Sequence, residues 1–385
     1  MKIAEISTFS KFSVGKIMVG IKNYINQNTS HMCKVFFARG ENNDNECFKF
    51  GNNKKILLNC LMARVFDNDG FCFFSDTKKL EKMLIIYNPD VVHIHCLHGY
   101  NQNVEHLFKF FFNKKCKIVW TMHDTWAITG HCCFFNNISC DKWKKMCYSC
   151  KKKNEYPASF IFNNSKKNYI MKKKIFTSLD EKQLTIVSPS LWMNSIIKES
   201  FLSRYDLKII YNGINEKKFY ENNKITKENI ILGVASVWDE RKGLIEFFNL
   251  SKTISDDWHI ILVGTIKEKL VLPKNITHID RTTDQNELIK IYQKALVLYN
   301  PTKDDNYPTV NLEAQLCGCK VLTNDVGGTK ETDCGNLYIV DKNKDVFEQI
   351  KEICKIKNNL INFYHASEIR MSKEYISLFE EVIKK

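Results

Sequence analysis

The sequence predicts an α/β fold with two doubly wound parallel-sheet domains. Short apolar runs alternate with longer amphipathic segments along nearly the whole chain, as expected for strands that helices cover on both faces. This alternation stops near residue 211 and starts again near residue 230. The chain of 385 residues is long enough for two domains of similar size, because one domain commonly takes roughly 100–200 residues.

The first half of the chain predicts one sheet with intervening helices. Strands are predicted at residues 2–6, 33–37, 91–95, 117–122 and 184–188, and helices at residues 15–24, 80–87 and 104–112. The strand segments are short and apolar, whereas the helical segments carry apolar residues at helical spacing. These elements define a predicted N-terminal domain at residues 1–209, onto which a last helix near residues 369–385 is expected to pack.

The second half repeats the pattern after an Asn212-Gly213 turn and a polar stretch. Strands are predicted at residues 230–237, 259–263, 296–300, 320–323 and 337–340, and helices at residues 244–253, 286–295, 308–316 and from 345 onward. They define a predicted C-terminal domain at residues 210–368. Ligands of such sheets bind beyond the carboxyl ends of the strands, so the two domains are expected to face each other across a cleft.

Composition excludes several classes of protein. Hydrophobic residues make up 44% of the chain and charged residues 26%, which excludes a largely disordered protein. No apolar run approaches the ~18–20 residues that cross a bilayer, which excludes an integral membrane protein. The first residues lack the apolar core of a signal peptide, so we expect a cytoplasmic protein whose fifteen cysteines are reduced.

The chain also carries a large and uneven positive charge. Lysine and arginine together exceed aspartate and glutamate by 14, which favours anionic partners such as phosphorylated substrates, phospholipids or nucleic acid. Between Lys142 and Lys174, eleven lysines accompany one acid, Glu155. This segment is either an ordinary solvated surface or a contact for an anionic partner.

The most informative motif runs from residue 304 to residue 314. Pro308 suits the first turn of a helix and Gly318 suits its end, so the amides at the start of this helix would be unpaired donors for a phosphate. Asp305 before the helix and Glu313 inside it offer carboxylates to sugar hydroxyls. The alternative is a surface helix with incidental acids. The predicted phosphate-binding residues are Pro308, Thr309, Val310, Asn311 and Leu312.

Other candidate residues follow predicted strands. Arg241 and Lys242 follow the strand at residues 230–237, where two cations can neutralise a diphosphate or can simply face solvent in a capping loop. His123 follows the strand at residues 117–122, where its side chain would point into the expected cleft or serve a structural role. Gly15 closes the loop after the first strand and permits close approach of a phosphate to the backbone.

Taken together, these motifs resemble the family-4 glycosyltransferases of the GT-B fold, and the resemblance covers nearly the whole chain. It rests on the Gly15 loop, Thr121-Met122-His123-Asp124, Val187-Ser188-Pro189-Ser190, Tyr211-Asn212-Gly213-Ile214, Arg241-Lys242-Gly243 and the segment from Asp305 to Ala314. The family's acidic motif has two glutamates separated by seven residues, and here the first of them is Asp305. Many members also carry an arginine where this chain has Ser236.

The resemblance implies retaining transfer of a sugar from a nucleotide-diphosphate donor without a catalytic metal. It implies that Glu313 binds the ribose, that Asp305 binds the hydroxyls of the donor sugar, and that His123 contacts the same sugar. Lys242, with Arg241, would stabilise the departing diphosphate, because preorganised cations lower the barrier to leaving-group departure. The favoured mechanism of the family is front-face attack, so we assign no general base.

Five cysteines crowd into one loop that begins with Thr129-Gly130-His131-Cys132. This loop resembles a subgroup that builds bacterial capsule, exopolysaccharide or lipopolysaccharide units. Either these residues are free thiols, or four of them bind a structural zinc ion, with the last two as the close pair and with Cys133 or His131 as a replacement for the first. The predicted zinc ligands are Cys132, Cys140, Cys147 and Cys150.

The subgroup implies a glycan or polyprenyl-diphosphate-linked acceptor. The clustering of charge over Lys142–Lys174 leads to the hypothesis that this segment holds the enzyme against anionic lipid at the inner face of the cytoplasmic membrane. Three alternatives remain open: a basic zinc protein that binds nucleic acid, a metal-dependent transferase that uses Asp67-Asn68-Asp69, and a sugar-nucleotide epimerase or hydrolase of the same fold. No recognisable nucleic-acid module surrounds the cysteines, so we predict no nucleic-acid partner. Asp67-Asn68-Asp69 has the composition of a turn ending at Gly70.

Overall fold

The computed structural model describes residues 1–71, 73–267, 270–280 and 284–385. These residues divide into two compact units. Unit 1 comprises Met1–Tyr211 together with Met371–Lys385, and unit 2 comprises Asn212–Arg370. The division falls two residues beyond the predicted domain boundaries.

Unit 1 is built on a seven-stranded parallel sheet. Its strands are β1 (Lys2–Phe9), β2 (Met32–Arg39), β3 (Cys47–Lys49), β4 (Val91–Ile94), β5 (Lys117–Thr121), β6 (Leu184–Ser188) and β7 (Asp206–Ile209), in the order β3-β2-β1-β4-β5-β6-β7. Its helices are α1 (Phe12–Asn28), α2 (Asn53–Phe66), α3 (Ser75–Tyr87), α4 (Val104–Lys114), α5 (Ser165–Phe176) and α6 (Leu191–Lys198).

Unit 2 repeats the same architecture with six parallel strands. They are β8 (Glu228–Trp238), β9 (His259–Ile266), β10 (Ile276–Ile279), β11 (Ala295–Asn300), β12 (Lys320–Thr323) and β13 (Leu337–Ile339), in the order β10-β9-β8-β11-β12-β13. Its helices are α7 (Leu244–Leu250), α8 (Gln285–Lys294), α9 (Thr309–Leu316), α10 (Val346–Lys355) and α11 (Phe363–Ala366). The last helix, α12 (Glu368–Lys384), returns the chain to unit 1.

Burial explains why the central strands form where they do. In β4 and β6 every side chain is buried, because helices cover both faces of a parallel sheet and polar residues would lose their hydration there. One face of α12 belongs to the same core: Met371, Tyr375 and Phe379 are fully buried against the strands of unit 1. In each sheet the next strands along the chain lie on one side of the first strand, and the later strands lie on its other side. Parallel α/β sheets bind ligands where the side changes, so we expect ligands at the carboxyl ends of β1 and β4 and of β8 and β11.

A long irregular segment separates β5 from α5. Residues 122–164 contain only three single turns of 3₁₀ helix among the described elements, at Trp126–Ile128, Asn136–Ile138 and Lys142–Lys144. Trp143 anchors this segment, since it is buried, stacks on Phe135 at 5.1 Å, and accepts a hydrogen bond from Tyr169 of α5 at its carbonyl. Across the described residues, we find no helix that is both long and apolar enough to span a bilayer.

Candidate active site

In unit 2 the candidate site forms where the loops after β8 and β11 meet. Lys242, in the first loop, places its Nζ atom 2.6 Å from Oδ2 of Asp305 in the second loop. Burial raises the pKa of the Asp305 carboxyl, but Lys242 and then Arg241 outweigh burial and hold that pKa below its ordinary value. Asp305 is therefore an ionised carboxylate at neutral pH, paired with a cation at the carboxyl edge of the sheet.

Backbone contacts hold these two loops together. The Arg241 guanidinium donates to the Asp304 carbonyl at 2.9 Å, and the Lys303 amide donates to the Arg241 carbonyl at 2.8 Å. Lys242 is fixed within its own loop as well, because its amide donates to the Asp239 carboxylate at 2.8 Å. Ser236 is exposed on β8, and whether Arg241 supplies the second positive charge of this loop stays a prediction.

Helix α9 begins at Thr309 directly after Pro308. Pro308 lies at the N-cap position, one residue before the helix, and not in its first turn as predicted. Thr309 and Val310 are half-buried in the first turn. The prediction is wrong for one amide: the Asn311 N–H donates to the Pro308 carbonyl at 3.1 Å and is not an unpaired donor. The Asn311 side chain is also engaged, with Asn300 and Thr332, and Leu312 is fully buried in the core.

Glu313 lies just inside the same helix and keeps only 8% of its surface exposed. Its Oε2 atom accepts a hydrogen bond from the Tyr292 hydroxyl at 3.0 Å. Tyr292, in α8, is fully buried, and burial followed by the Glu313 charge raises the pKa of Tyr292 well above its ordinary value. Tyr292 is therefore a fixed hydrogen-bond donor that orients the Glu313 carboxylate, a contact that sequence patterns did not indicate.

In unit 1 a buried hydrogen-bond network surrounds His123. His123 Nε2 lies 2.9 Å from His95 Nδ1, and His95 Nε2 lies 2.7 Å from the Glu5 carboxylate. The other Glu5 oxygen contacts His93 at 3.0 Å. His93 continues the network through Thr121 to Tyr375, with contacts of 2.8 Å each. Sequence analysis missed Glu5, although a carboxylate in the middle of an apolar strand was the available signal.

The charges in this network fix the tautomers of its histidines. Burial raises the pKa of Glu5, but its two histidine partners prevail and lower it, so Glu5 accepts from both rings. Burial lowers the pKa of His95 to about 4, and burial followed by the neighbouring histidines lowers that of His123 well below its ordinary value. Neutral His95 donates from Nε2 to Glu5, so its Nδ1 accepts from His123 Nε2 and leaves His123 Nδ1 as the acceptor nitrogen.

This network predicts an acid-sensitive unit 1. The pKa of His95 is ~6.5 in the unfolded chain and about 4 in the folded chain, so the unfolded chain takes up the proton first. The contribution of His95 to the free energy of unfolding is therefore fully present above pH ~6.5 and decreases as the pH falls from there towards 4. The hydrogen-exchange protection factors of β1, β4 and β5, which are corrected for the intrinsic pH dependence of amide exchange, are expected to fall as the pH is lowered from about 7.5 to 5. In His95→Gln, which cannot titrate, this pH dependence is expected to become clearly shallower. An equal dependence in both proteins would contradict the assignment.

A second polar group lies on the same rim of unit 1. His98 Nε2 is 2.7 Å from the Asp124 carboxylate and its Nδ1 is 2.9 Å from the Tyr156 hydroxyl. Burial lowers the pKa of His98, but Tyr156 and Asp124 outweigh it and raise that pKa well above its ordinary value. His98 and Asp124 thus form an ion pair, and both line a small cavity that His95 and His123 also border.

Gly15 lies inside the first turn of α1, because this helix begins at Phe12 and not at residue 15 as predicted. A Cβ atom at Gly15 would lie 2.5 Å from the Ser10 carbonyl carbon and 3.0 Å from the Phe9 oxygen. Close packing of the helix on the end of β1 therefore requires glycine here. A contact between Gly15 and a donor stays a prediction.

The cysteine loop surrounds a cavity of about 180 Å³ in unit 1. Cys132, Cys140, Cys147 and Cys150 all line it, together with His131. The Cys132 thiol donates to the Cys150 sulfur and lowers the pKa of Cys150 to about 6. Cys133, offered as a replacement ligand, is not among the lining residues. It lies buried near Asp124 and His98, so that alternative is wrong.

The sulfur atoms of Cys132, Cys140, Cys147 and Cys150 do not lie as close together as the ligand atoms of a bound metal ion. Among the described residues, three ligand-type atoms lie within 4.8 Å of one another in two other groups: Glu5 with His93 and His95, and Cys96 with His98 and Asp124. Hydrogen bonds described above already join Glu5 to both histidines of the first group, and His98 to Asp124 in the second.

Asp67 and Asp69 have structural roles. Asp67 ends α2 and accepts hydrogen bonds from His131 and from the Asn164 amide. Asp69 accepts from the amides of Gly99 and Tyr100. Both carboxylates are buried, which agrees with the turn that the composition indicated and offers no support for a catalytic metal site there.

Comparison with known proteins gives the family of unit 2. Residues 215–367 match the family model described as glycosyl transferases group 1, and this match contains β8, β11 and α9 with Lys242, Asp305 and Glu313. The chain carries a group 1 glycosyltransferase domain. The enzyme class predicted from the sequence is thereby confirmed, and neither the nucleic-acid-binding protein nor the epimerase or hydrolase is supported.

Relatives of this glycosyltransferase come from bacterial surface polysaccharide systems. The putative colanic acid biosynthesis glycosyl transferase WcaC of Escherichia coli (strain K12) is 24% identical over 71% of this chain and 69% of its own length. The O-antigen chain mannosyltransferase RfbU of Salmonella typhimurium (strain LT2) is 25% identical over 54% of this chain and 60% of its own length. The predicted subgroup is therefore confirmed at the level of capsule and lipopolysaccharide enzymes.

Solved structures confirm the fold class of this glycosyltransferase. Anabaena Alr3699/HepE in complex with UDP-glucose superposes with a TM-score of 0.60 at 12% sequence identity, covering 100% of this chain and 97% of that chain. At this identity the likeness shows the fold alone. Two parallel-sheet α/β domains of the GT-B class are thus confirmed.

Proposed function

We propose that this glycosyltransferase transfers a sugar with retention from a nucleotide-diphosphate donor to a glycan or lipid-linked glycan of a bacterial surface polysaccharide. The observation that carries the proposal is the pairing of Lys242 with Asp305 beside Arg241 at the carboxyl edge of the unit 2 sheet. HepE, which shares the fold, has been solved with UDP-glucose, and this supports a nucleotide sugar as the donor class.

Lys242 and Arg241 are proposed to stabilise the diphosphate as it leaves. Contacts within unit 2 hold both cations in place, Lys242 through a carboxylate and Arg241 through a carbonyl. Cations that are already oriented stabilise developing charge without reorganising during the reaction. The first turn of α9 contributes further, since the start of a helix attracts anions.

The two acids of unit 2 are proposed to recognise hydroxyl groups. Asp305 is ionised, and a carboxylate has about four acceptor sites on its two oxygens, so it can accept from the donor sugar in addition to its contacts with Lys242 and the Asn306 amide. Glu313 is oriented by Tyr292, and we propose that its carboxylate binds the ribose. These roles match those that the family resemblance implies.

His123 is proposed to contact the donor sugar as a hydrogen-bond acceptor. The contact through His95 to Glu5 sets which nitrogen of His123 carries the proton. Glu5 and His95 are buried, and on this proposal they act as positioning residues for His123. No catalytic metal is invoked, because the cations of unit 2 already serve the leaving group.

For the acceptor, we propose a location at an anionic membrane surface. Seven of the eleven lysines between Lys142 and Lys174 are exposed, whereas Lys152 and Lys172 are buried and do not belong to such a surface. Lys172 donates to the Trp126 carbonyl and Lys152 pairs with Glu155. Exposed apolar side chains accompany the lysines, since Phe160, Ile161 and Phe162 are each about half or more exposed. Lysines with interspersed aromatic residues favour binding to anionic lipid.

Charge removal tests this membrane proposal. Lys166 and Lys167 are both exposed on α5, and replacing both by alanine is expected to weaken binding to phosphatidylglycerol-containing vesicles roughly 10- to 30-fold. Co-sedimentation at low and high salt measures the effect. Alanine at Lys342 and Lys344, which are exposed in unit 2, serves as the control and is expected to change little. Binding that responds neither to salt nor to the α5 lysines would contradict the proposal.

Product analysis tests the reaction itself. The enzyme is incubated with UDP-, GDP- and ADP-sugars and a polyprenyl-diphosphate-linked sugar, and the product is examined by mass spectrometry and NMR. We expect one donor to yield an elongated acceptor whose new linkage keeps the anomeric configuration of the donor. Inverted configuration would contradict the retaining mechanism, and release of free sugar without transfer would contradict the proposed function.

A further inference from the structure

We propose that unit 1 holds one structural zinc ion, bound by the thiolates of Cys132, Cys140, Cys147 and Cys150 around the cavity of the cysteine loop. The cavity is lined by all four side chains although they are spread over the irregular segment 122–164. Four thiolates without an open position form a closed tetrahedral set, which is the structural type of zinc site. This proposal is independent of the sugar transfer proposed above.

The sulfur atoms already have part of the environment of zinc-bound thiolates. Cys132 and Cys150 are hydrogen-bonded to each other, so these two sulfurs are neighbours. Backbone amides of Gly130 and Lys152 donate to the sulfurs of Cys147 and Cys150. In a tetrahedral site with Zn–S bonds of about 2.3 Å, sulfurs lie roughly 3.8 Å apart, so on this proposal the four sulfurs move closer together when the ion binds.

His131 supplies an independent indication that this cavity receives a ligand. His131 lines the cavity and is 2% exposed, and its Nδ1 atom is held by the Asp67 carboxylate. Its Nε2 atom is buried and has no hydrogen-bond partner among the described residues. A buried polar atom without a hydrogen-bond partner costs free energy. We therefore infer that His131 Nε2 gains its partner when a ligand binds in the cavity.

The charge of the proposed zinc site explains why a hydrogen-bond donor such as His131 Nε2–H lies beside it. Zinc with four thiolates carries two negative charges, so a donor close to the sulfurs stabilises the complex. We assign His131 Nε2–H as a donor to the Cys150 thiolate, while Asp67 orients the ring from its other side. Carboxylate-held histidines beside metal sites orient and stabilise the ligand set in this way.

Close packing around the loop supports the same assignment. A Cβ atom at Gly130 would lie 2.0 Å from the Ser165 carbonyl oxygen and 2.9 Å from the Cys147 Cβ. The backbone before Cys132 therefore passes directly against Cys147 and the start of α5. An ion that ties these chain segments together would stabilise a segment with little regular structure of its own.

Zinc analysis of the full-length chain tests the proposal. The protein is purified without chelator, and its metal content is measured by mass spectrometry after dialysis. We expect one zinc per chain, and a loss of at least about nine-tenths of it in Cys140→Ser and in Cys147→Ser. Cys133→Ser is the matched control, because Cys133 is buried beside Cys132 but does not line the cavity, and it is expected to keep one zinc. A zinc-free wild type, bound iron, or equal loss in Cys133→Ser would overturn the proposal.

Two further measurements keep the test valid if a serine variant misfolds. In the wild type, cobalt substitution is expected to give the absorption of a tetrahedral tetrathiolate. His131→Gln is expected to keep zinc but to lose it to a competing chelator roughly 10- to 100-fold more readily. If His131→Gln lost the zinc completely while Cys132→Ser kept it, the four-thiolate set would be overturned.

Discussion

Replacing Lys242 by alanine is expected to lower the kcat for sugar transfer by about 100-fold or more, because the charge that develops on the departing diphosphate loses its nearest cation. Lys242 lies 2.6 Å from Asp305 and is oriented by its own loop, so its charge is available without rearrangement. Steady-state kinetics with the accepted donor measure the effect.

Lys330→Ala is the control for this prediction. Lys330 also forms an ion pair in unit 2, with Asp325 at 3.4 Å, but both partners are largely exposed. Such pairs contribute little to stability, so this variant is expected to retain kcat and thermal stability. The assignment of Lys242 would be wrong if both variants kept normal turnover, or if Lys242→Ala lost activity only in proportion to a loss of folded protein.

Replacing Glu313 by glutamine is expected to raise the KM for the donor roughly 10- to 100-fold, since a hydrogen bond to a charged acceptor is stronger than one to an amide. Glutamine has nearly the same shape and keeps an oxygen for the Tyr292 hydroxyl, so the buried contact survives. The fold of unit 2 is therefore expected to change little, which separates this variant from Glu313→Ala.

Two comparisons make the Glu313 prediction specific. Tyr292→Phe removes the donor that orients Glu313 and is expected to raise KM by a smaller factor, because the carboxylate itself remains. Glu348→Gln changes an exposed carboxylate of α10 and is expected to have no effect. An unchanged KM in Glu313→Gln together with a lower melting temperature would indicate a purely structural carboxylate.

The strands could be predicted from the sequence because burial on both faces leaves continuous apolar runs. The strand predictions at residues 184–188 and 320–323 agree with β6 and β12 at both ends. Helix α2 escaped prediction since its apolar residues do not form one buried stripe: Leu57, Leu58 and Leu61 are about half or more exposed. Strand β3 has only three residues at the edge of its sheet, too few to show an alternation.

The candidate site was predictable only in part, because motifs indicate residues and not their partners. Lys242 and His123 were selected by their position after a strand, and Asp305 by its position before the helix that follows Pro308. The contact between Lys242 and Asp305 depends on β8 and β11 being neighbours, which strand order determines and local sequence does not. Similarly, Glu5 and Tyr292 contact residues that are distant in sequence, so only the folded structure connects them to His123 and Glu313.

The central claim is that Lys242, at the edge of the unit 2 sheet, binds the diphosphate of the donor. Calorimetric titration with a nucleoside diphosphate and with the matching monophosphate tests it most directly, using UDP, GDP and ADP in turn. We predict that the diphosphate of the preferred base binds at least about tenfold more tightly than its monophosphate, and that Lys242→Ala removes most of this difference. Equal affinities for the two nucleotides in the wild type, or an undiminished difference in Lys242→Ala, would contradict the account.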